Sequence, residues 1–175
     1  MIKMLKWIGI VLVICGSTAA GISLSRDLEK RVKQLNELRK VVVMLQGEIR
    51  YSNAPLSEAF HHVSLRIKEP FAIFLEHVAG HMEEFSGETL NDIFSQHIQE
   101  DLKYTSLLPE DLEQLKRLGE SMGYLDRQMQ LETMNLYLDQ VNTACEEAAE
   151  HYRNKSKLYH CLGVMGGLFL AVIFI

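Results

Sequence analysis

The chain has 175 residues, 47% of them hydrophobic, with 18 Lys+Arg against 23 Asp+Glu and a formal net charge of −5. That acidic balance argues against nucleic acid as a partner, because a phosphate backbone is held by clustered cations. The cysteines Cys15, Cys145 and Cys161 form no CxxC pair, so neither a disulfide framework nor a zinc ribbon is indicated.

Near the start, "WIGIVLVICGSTAAGISLS" runs nineteen residues without a charge between Lys6 and Arg26. About 20 apolar residues rising ~1.5 Å each match the ~30 Å hydrocarbon core of a bilayer. A secretory signal is the competing reading, since Lys3 and Lys6 precede the run and Ala19-Ala20-Gly21 could be cleaved. A signal core is usually only ~7 to 15 residues long. Arg26, Lys30, Arg31 and Lys33 also crowd the far side, which keeps the following segment in the cytoplasm by the positive-inside bias. A lipoprotein reading of Cys15 meets a bulky Ile14 where a small residue is wanted. The expectation is a retained transmembrane helix over residues 1–24.

The next part, residues 25–157, contains all the acidic residues and every basic one except Lys3 and Lys6, for a net charge of −7. A helical stripe runs through Leu28, Leu35, Leu38, Val42, Leu45 and Ile49, so the first helix is expected to continue to about Tyr51. All three prolines follow, each where a helix can begin: Pro55 after "SN", Pro70 after "KE", and Pro109 opening "PEDLEQL" with an acidic first turn. Ser86-Gly87 marks another break and Gly123 a C-cap. Four short helices are predicted, at about 54–67, 70–85, 88–104 and 109–122. A second stripe, Leu131, Met134, Leu138, Val141, Cys145, Ala148 and Tyr152, predicts one last helix returning toward "LYHCLGVMGGLFLAVIFI". Arg153, Lys155 and Lys157 stand just before that apolar run and no charge follows it. The expected fold is therefore all-α. A six-helix cytoplasmic bundle, 25–157, is flanked by transmembrane helices at 1–24 and 158–175 that continue its first and last helices, and both chain ends lie across the membrane. The basic collars fix topology and can also meet anionic lipid headgroups, at about 1 kcal/mol per well-placed cation.

Candidate chemistry is sparse. His77 and His81 stand four apart on one helix face, a spacing a metal can use, but no partner of fixed spacing completes three or four ligands. No metal site is expected there, and His61-His62 is weaker because adjacent side chains diverge on a helix. No phosphate loop, nucleophile elbow or nucleophile–base pair occurs, so neither catalysis, a cofactor nor a small-molecule substrate is expected. Small residues four apart, Gly16/Ala20 and Ser17/Gly21 in the first span and Gly163/Gly167 in the second, can let helices approach closely in lipid. Glycine is common in membrane helices in any case.

Two stretches carry a resemblance. "LQGEIRYSNAPLSEAF" ends a long helix in Glu-Ile-x-Tyr and opens the next with Pro-Leu-x-Glu-Ala. "LGESMGYLDRQMQ" contributes Leu118, Gly119, Gly123, Asp126 and Gln130. With the two terminal spans and the length, the whole chain resembles the stage III sporulation protein AB family of endospore-forming Firmicutes. The resemblance implies a component of the channel linking mother cell and forespore. It also implies similarity to the inner-membrane platform protein, the F component, of type II secretion and type IV pilus machines, which has two such domains and three spans. The implied partners are membrane lipid, a cytoplasmic ATPase (the companion protein AA) and other channel components. The docking candidates are Glu48, Tyr51, Pro55, Leu56 and Glu58. Structural roles compete with docking: Glu48 and Glu58 can accept free N–H groups or pair with cations at a helix corner, and Tyr51 can plug the bundle. Two alternatives are a single-domain platform protein of a secretion or pilus system, and a membrane-anchored metal-binding or signalling protein.

Overall fold

The computed structural model describes the backbone of residues 2–52, 55–84, 87–123 and 126–174. It describes the side chains of 25–52, 55–84, 87–123 and 126–155, with positions 16, 19, 23 and 165 besides. Among the described residues there are six helices and no strand: α1 (Ile2–Tyr51), α2 (Leu56–Ser64), α3 (Phe71–Glu83), α4 (Leu90–Asp101), α5 (Pro109–Met122) and α6 (Arg127–Phe174). The chain divides into two compact units, residues 1–32 with 147–175, and residues 33–146.

No described helix contains a window long and apolar enough to cross a membrane. The two expected spans fall on 1–24 and 158–175, where nearly all side chains lie outside the described residues.

Within 33–146 the helix starts follow local chemistry. Thr89 accepts from Asp92 N–H at 3.2 Å while the Asp92 carboxylate reaches back to Thr89 N–H at 3.3 Å, a reciprocal cap that starts α4. Pro109 takes the first position of α5, and Asp111 accepts from Leu108 N–H at 2.8 Å. Gly87 has φ +82°, a left-handed conformation that other side chains resist, and so turns the chain between α3 and α4. Gly123 does end α5, but with φ −71°. What a side chain there would meet is Leu90 Cβ, 3.2 Å from where a Cβ would stand.

The core is aromatic at its centre. Phe60 of α2 and Phe74 of α3 meet the Phe94 ring of α4 at centroid distances of 5.7 and 5.3 Å. Leu35, Leu38, Val42, Leu45 and Ile49 of α1 are buried as their spacing predicts. On α6 the buried series is Leu131, Met134, Tyr137, Val141, Cys145 and Ala148. Tyr137 takes the place expected for Leu138, which is only half-buried. Since 3.6 residues per turn lets either i+3 or i+4 face inward, the stripe alone does not choose between neighbours.

Polar side chains tie the connections to α1. Glu37 accepts from Lys68 N–H at 3.1 Å, and Lys40 donates to the Arg66 carbonyl at 3.4 Å. Gln34 accepts from Ser106 N–H at 2.7 Å, and Gln46 donates to Asn135 Oδ1 at 2.9 Å.

Candidate functional site

The corner between α1 and α2 holds the first docking candidates. Glu48, whose side chain is mostly covered, receives Arg66 Nη1 at 3.3 Å on one oxygen and stands 3.4 Å from His62 Nδ1 with the other. The second nitrogen of His62 lies 3.6 Å from Glu58 Oε1. One imidazole is thus set between two carboxylates, one inside the corner and one half exposed. Pro55 is exposed and Leu56 half-buried. Tyr51 does not plug the bundle: it is the last residue of α1 and is 84% exposed.

The second stretch comes to the same corner. Arg127 at the start of α6 donates to the Arg50 and Ser52 carbonyls, satisfying acceptors that the end of α1 leaves free. Asp126 accepts from Met129 N–H at 2.9 Å and caps α6, and Gln130 donates to the Met122 carbonyl at 2.9 Å. Leu56, Met122, Gly123 and Gln130 help line a cleft of about 460 Å³, together with residues of α3, α4 and the segment between them, His81, Glu88 and Leu90 among them. The cleft therefore unites residues that sequence reading holds some sixty or seventy positions apart.

Beside the cleft lies a histidine cluster that the sequence half discloses. His77 Nδ1 is 3.0 Å from both oxygens of Asp101. His97, buried on α4, stands between His77 and His81 with ring centroids 5.6 and 5.4 Å away. His81 Nδ1 lies 3.2 Å from His97 Nε2, and His81 Nε2 lies 2.6 Å from Glu88 Oε2. Burial depresses the His97 pKa below the usual histidine value, against the opposing pull of Asp101 and Glu100. Sequence reasoning singled out His77 and His81 but not His97, Asp101 or Glu88. The available signal was the second i,i+4 pair, His97 and Asp101, on the neighbouring helix.

By contrast His61 and His62 point apart. His61 pairs with Glu76 at 2.8 Å, on another element from the partners of His62. Of the basic collar, Arg26, Lys30, Lys33, Arg153 and Lys155 are exposed, Arg31 is half-buried, and the side chain of Lys157 lies outside those described. Lys30 pairs with Asp27 at 3.5 Å. Gly16 is exposed with no atom within 4 Å of a Cβ placed on it. Ala20, Gly163 and Gly167 lie outside the residues whose side chains are described.

The comparisons with known proteins agree on one family. The family model described as stage III sporulation protein AB matches residues 6–175. Stage III sporulation protein AB of Bacillus subtilis (strain 168) is 24% identical over 170 residues, covering 97% of this chain and 99% of that protein. A solved structure of a stage III sporulation protein AB shares the fold with a TM-score of 0.64 and 23% identity, covering 70% of this chain and 96% of the other. With essentially its whole length matched, the chain belongs to the stage III sporulation protein AB family.

Proposed function

We propose that this protein is a non-enzymatic membrane platform of the sporulation channel between mother cell and forespore. Residues 1–24 and 158–175 span the membrane, and 25–157 form the cytoplasmic domain on the mother-cell side. The spans rest on the two charge-free runs and their basic flanks. The platform role rests on family membership. In this reading the bundle docks the cytoplasmic ATPase and passes its conformational work to membrane partners.

The observation that best supports docking is the corner itself. Tyr51, Pro55 and Glu58 are exposed together, over a base that Glu48, Arg66 and Arg127 hold in place. Exposed aromatic and charged side chains beside such braced helix ends suit recognition better than they suit core packing.

The test is Glu58→Arg in the full-length protein, recovered from membranes of sporulating cells. The expected result is thermal unfolding close to wild type, since exposed substitutions usually shift stability by less than ~0.5 kcal/mol, with loss of the co-purifying ATPase. Normal recovery of the ATPase would remove this corner from the docking role.

A further inference from the structure

We infer that His77, His97 and Asp101 form a binding site for a divalent transition-metal ion of the zinc type, bridging α3 and α4.

The sequence offers only two histidines four apart and lacks a third ligand of fixed spacing. The fold supplies it from the neighbouring helix: one ligand atom each from His77, His97 and Asp101 lies within 4.8 Å of the others. The individual separations are 3.0 Å from His77 Nδ1 to Asp101 and 3.5 Å from His97 Nδ1 to Asp101 Oδ2. Ligands ~2.0–2.1 Å from a tetrahedral zinc stand ~3.3 Å apart, so the two Asp101 separations already match that value, and the two imidazole nitrogens, within 4.8 Å of each other, have to close on the ion. Two imidazoles and one carboxylate suit zinc and its neighbours and disfavour calcium or magnesium, which take mainly oxygen donors.

The second observation is the orientation of His97. The Glu88 carboxylate, 2.6 Å from His81 Nε2, calls for a proton on that nitrogen. When His81 is otherwise neutral its Nδ1 is bare, and in that tautomer it accepts from His97 Nε2–H, 3.2 Å away. Neutral His97 is left with its lone pair on Nδ1, the atom that is buried without a hydrogen-bond partner among the described residues. That lone pair faces Asp101 Oδ2 at 3.5 Å and Glu100 Oε2 at 3.6 Å. In this tautomer three electron-rich atoms converge there, and a cation on Nδ1, a proton or a metal ion, removes the conflict; the titration below distinguishes the two. The Glu88–His81–His97 series is the outer-sphere support that orients metal-ligating histidines elsewhere. Coordination by His77 requires only that its proton move from Nδ1 to Nε2.

The experiment uses the full-length protein in detergent, stripped with a chelator and titrated with Zn²⁺ alone by calorimetry. Co²⁺ serves as a second probe, because its visible absorption reports a tetrahedral site. The expected result is one ion per chain, with affinity falling about 10-fold or more in His77→Ala and in Asp101→Asn and ~10–100-fold in Glu88→Gln. His61→Ala should bind as wild type does. Buried His97 is left intact so that folding is not at issue, and unchanged thermal unfolding of the metal-free variants confirms this. Failure of the wild-type protein to take up a stoichiometric ion, or wild-type affinity in His77→Ala and Asp101→Asn, would overturn the site. Unchanged affinity in Glu88→Gln would overturn the orienting role of Glu88.

Discussion

The Phe94 ring occupies the space that any side chain at Gly119 would need. A Cβ at Gly119 would stand 2.9 Å from Phe94 Cβ and closer still to the ring. Phe60 and Phe74 pack against the same ring, which resists its displacement. Gly119 therefore lets α5 approach α4 closely. Gly119→Ala should destabilise the protein by about 1–3 kcal/mol through overpacking. Gly80 of α3 is exposed with nothing within 4 Å of an added Cβ, so Gly80→Ala should stabilise by about 0.5–1 kcal/mol. Thermal unfolding of the two variants should move in opposite directions, and a stabilised Gly119→Ala would refute the contact.

Tyr137 is 4% exposed, and its hydroxyl has no hydrogen-bond partner among the described residues. Burial first, and the Asp111 carboxylate second, push its ionisation far above the usual phenol range, so the ring stays neutral. The ring fills core volume, and the hydroxyl gains no hydrogen bond among the described residues. Tyr137→Phe should be neutral or stabilise by about 1 kcal/mol, whereas Tyr137→Ala should cost ~3–5 kcal/mol. A marked loss of stability in Tyr137→Phe would mean that the hydroxyl has a partner.

Much of this architecture was legible in the sequence, and for identifiable reasons. Prolines 55, 70 and 109 each stand directly before or at a helix start, and the α1 stripe from Leu35 to Ile49 is buried as read. Propensity and capping are local, so a single sequence displays them. Leu138 was misjudged for Tyr137 because two adjacent apolar residues fit one stripe equally well. For Tyr51 the sequence left both a core plug and an exposed docking residue open, because the face that a ring at the end of a helix takes is set by packing and not by spacing. The histidine cluster was only half visible, since His97 and Asp101 meet His77 through the packing of α3 on α4, which no spacing within one helix encodes.

Glu76 of α3 provides a pH test. Ser64 Oγ lies 2.6 Å from Glu76 Oε2 and His61 Nδ1 lies 2.8 Å from the same oxygen. The Ser64 hydrogen bond is the main cause of a carboxyl pKa below the usual glutamate value, with His61 adding to it and partial burial opposing it. A depressed folded-state pKa means that the unfolded chain binds the proton more readily. The contribution is therefore complete above the unfolded pKa of about 4.5 and is lost as pH falls through the lower folded value. In Ser64→Ala the Glu76 pKa, followed by NMR, should rise toward the unfolded value and the acid-induced loss of stability should shrink. An unchanged Glu76 titration in Ser64→Ala would assign the shift to His61 instead.

The corner of the proposed docking surface separates bracing from recognition residue by residue. Glu48 has a side chain 17% exposed and engages Arg66 and His62, which belong to the end of α2 and the turn after it. Removing the carboxylate frees both partners and loosens the packing of α2 on α1. Glu48→Ala should therefore cost about 1 kcal/mol, the usual net worth of such a bond. Tyr51 is 84% exposed at the end of α1, and its loss deprives the core of nothing. Tyr51→Ala should leave unfolding within ~0.5 kcal/mol of wild type. If the corner docks the ATPase, Tyr51→Ala should nonetheless weaken co-purification, because a large exposed aromatic ring is the kind of anchor that contributes most at interfaces. A protein that is stable but no longer recovers its partner would place Tyr51 in recognition. A Tyr51→Ala protein that unfolds well before wild type would instead show that its ring is packed, contrary to its exposed position.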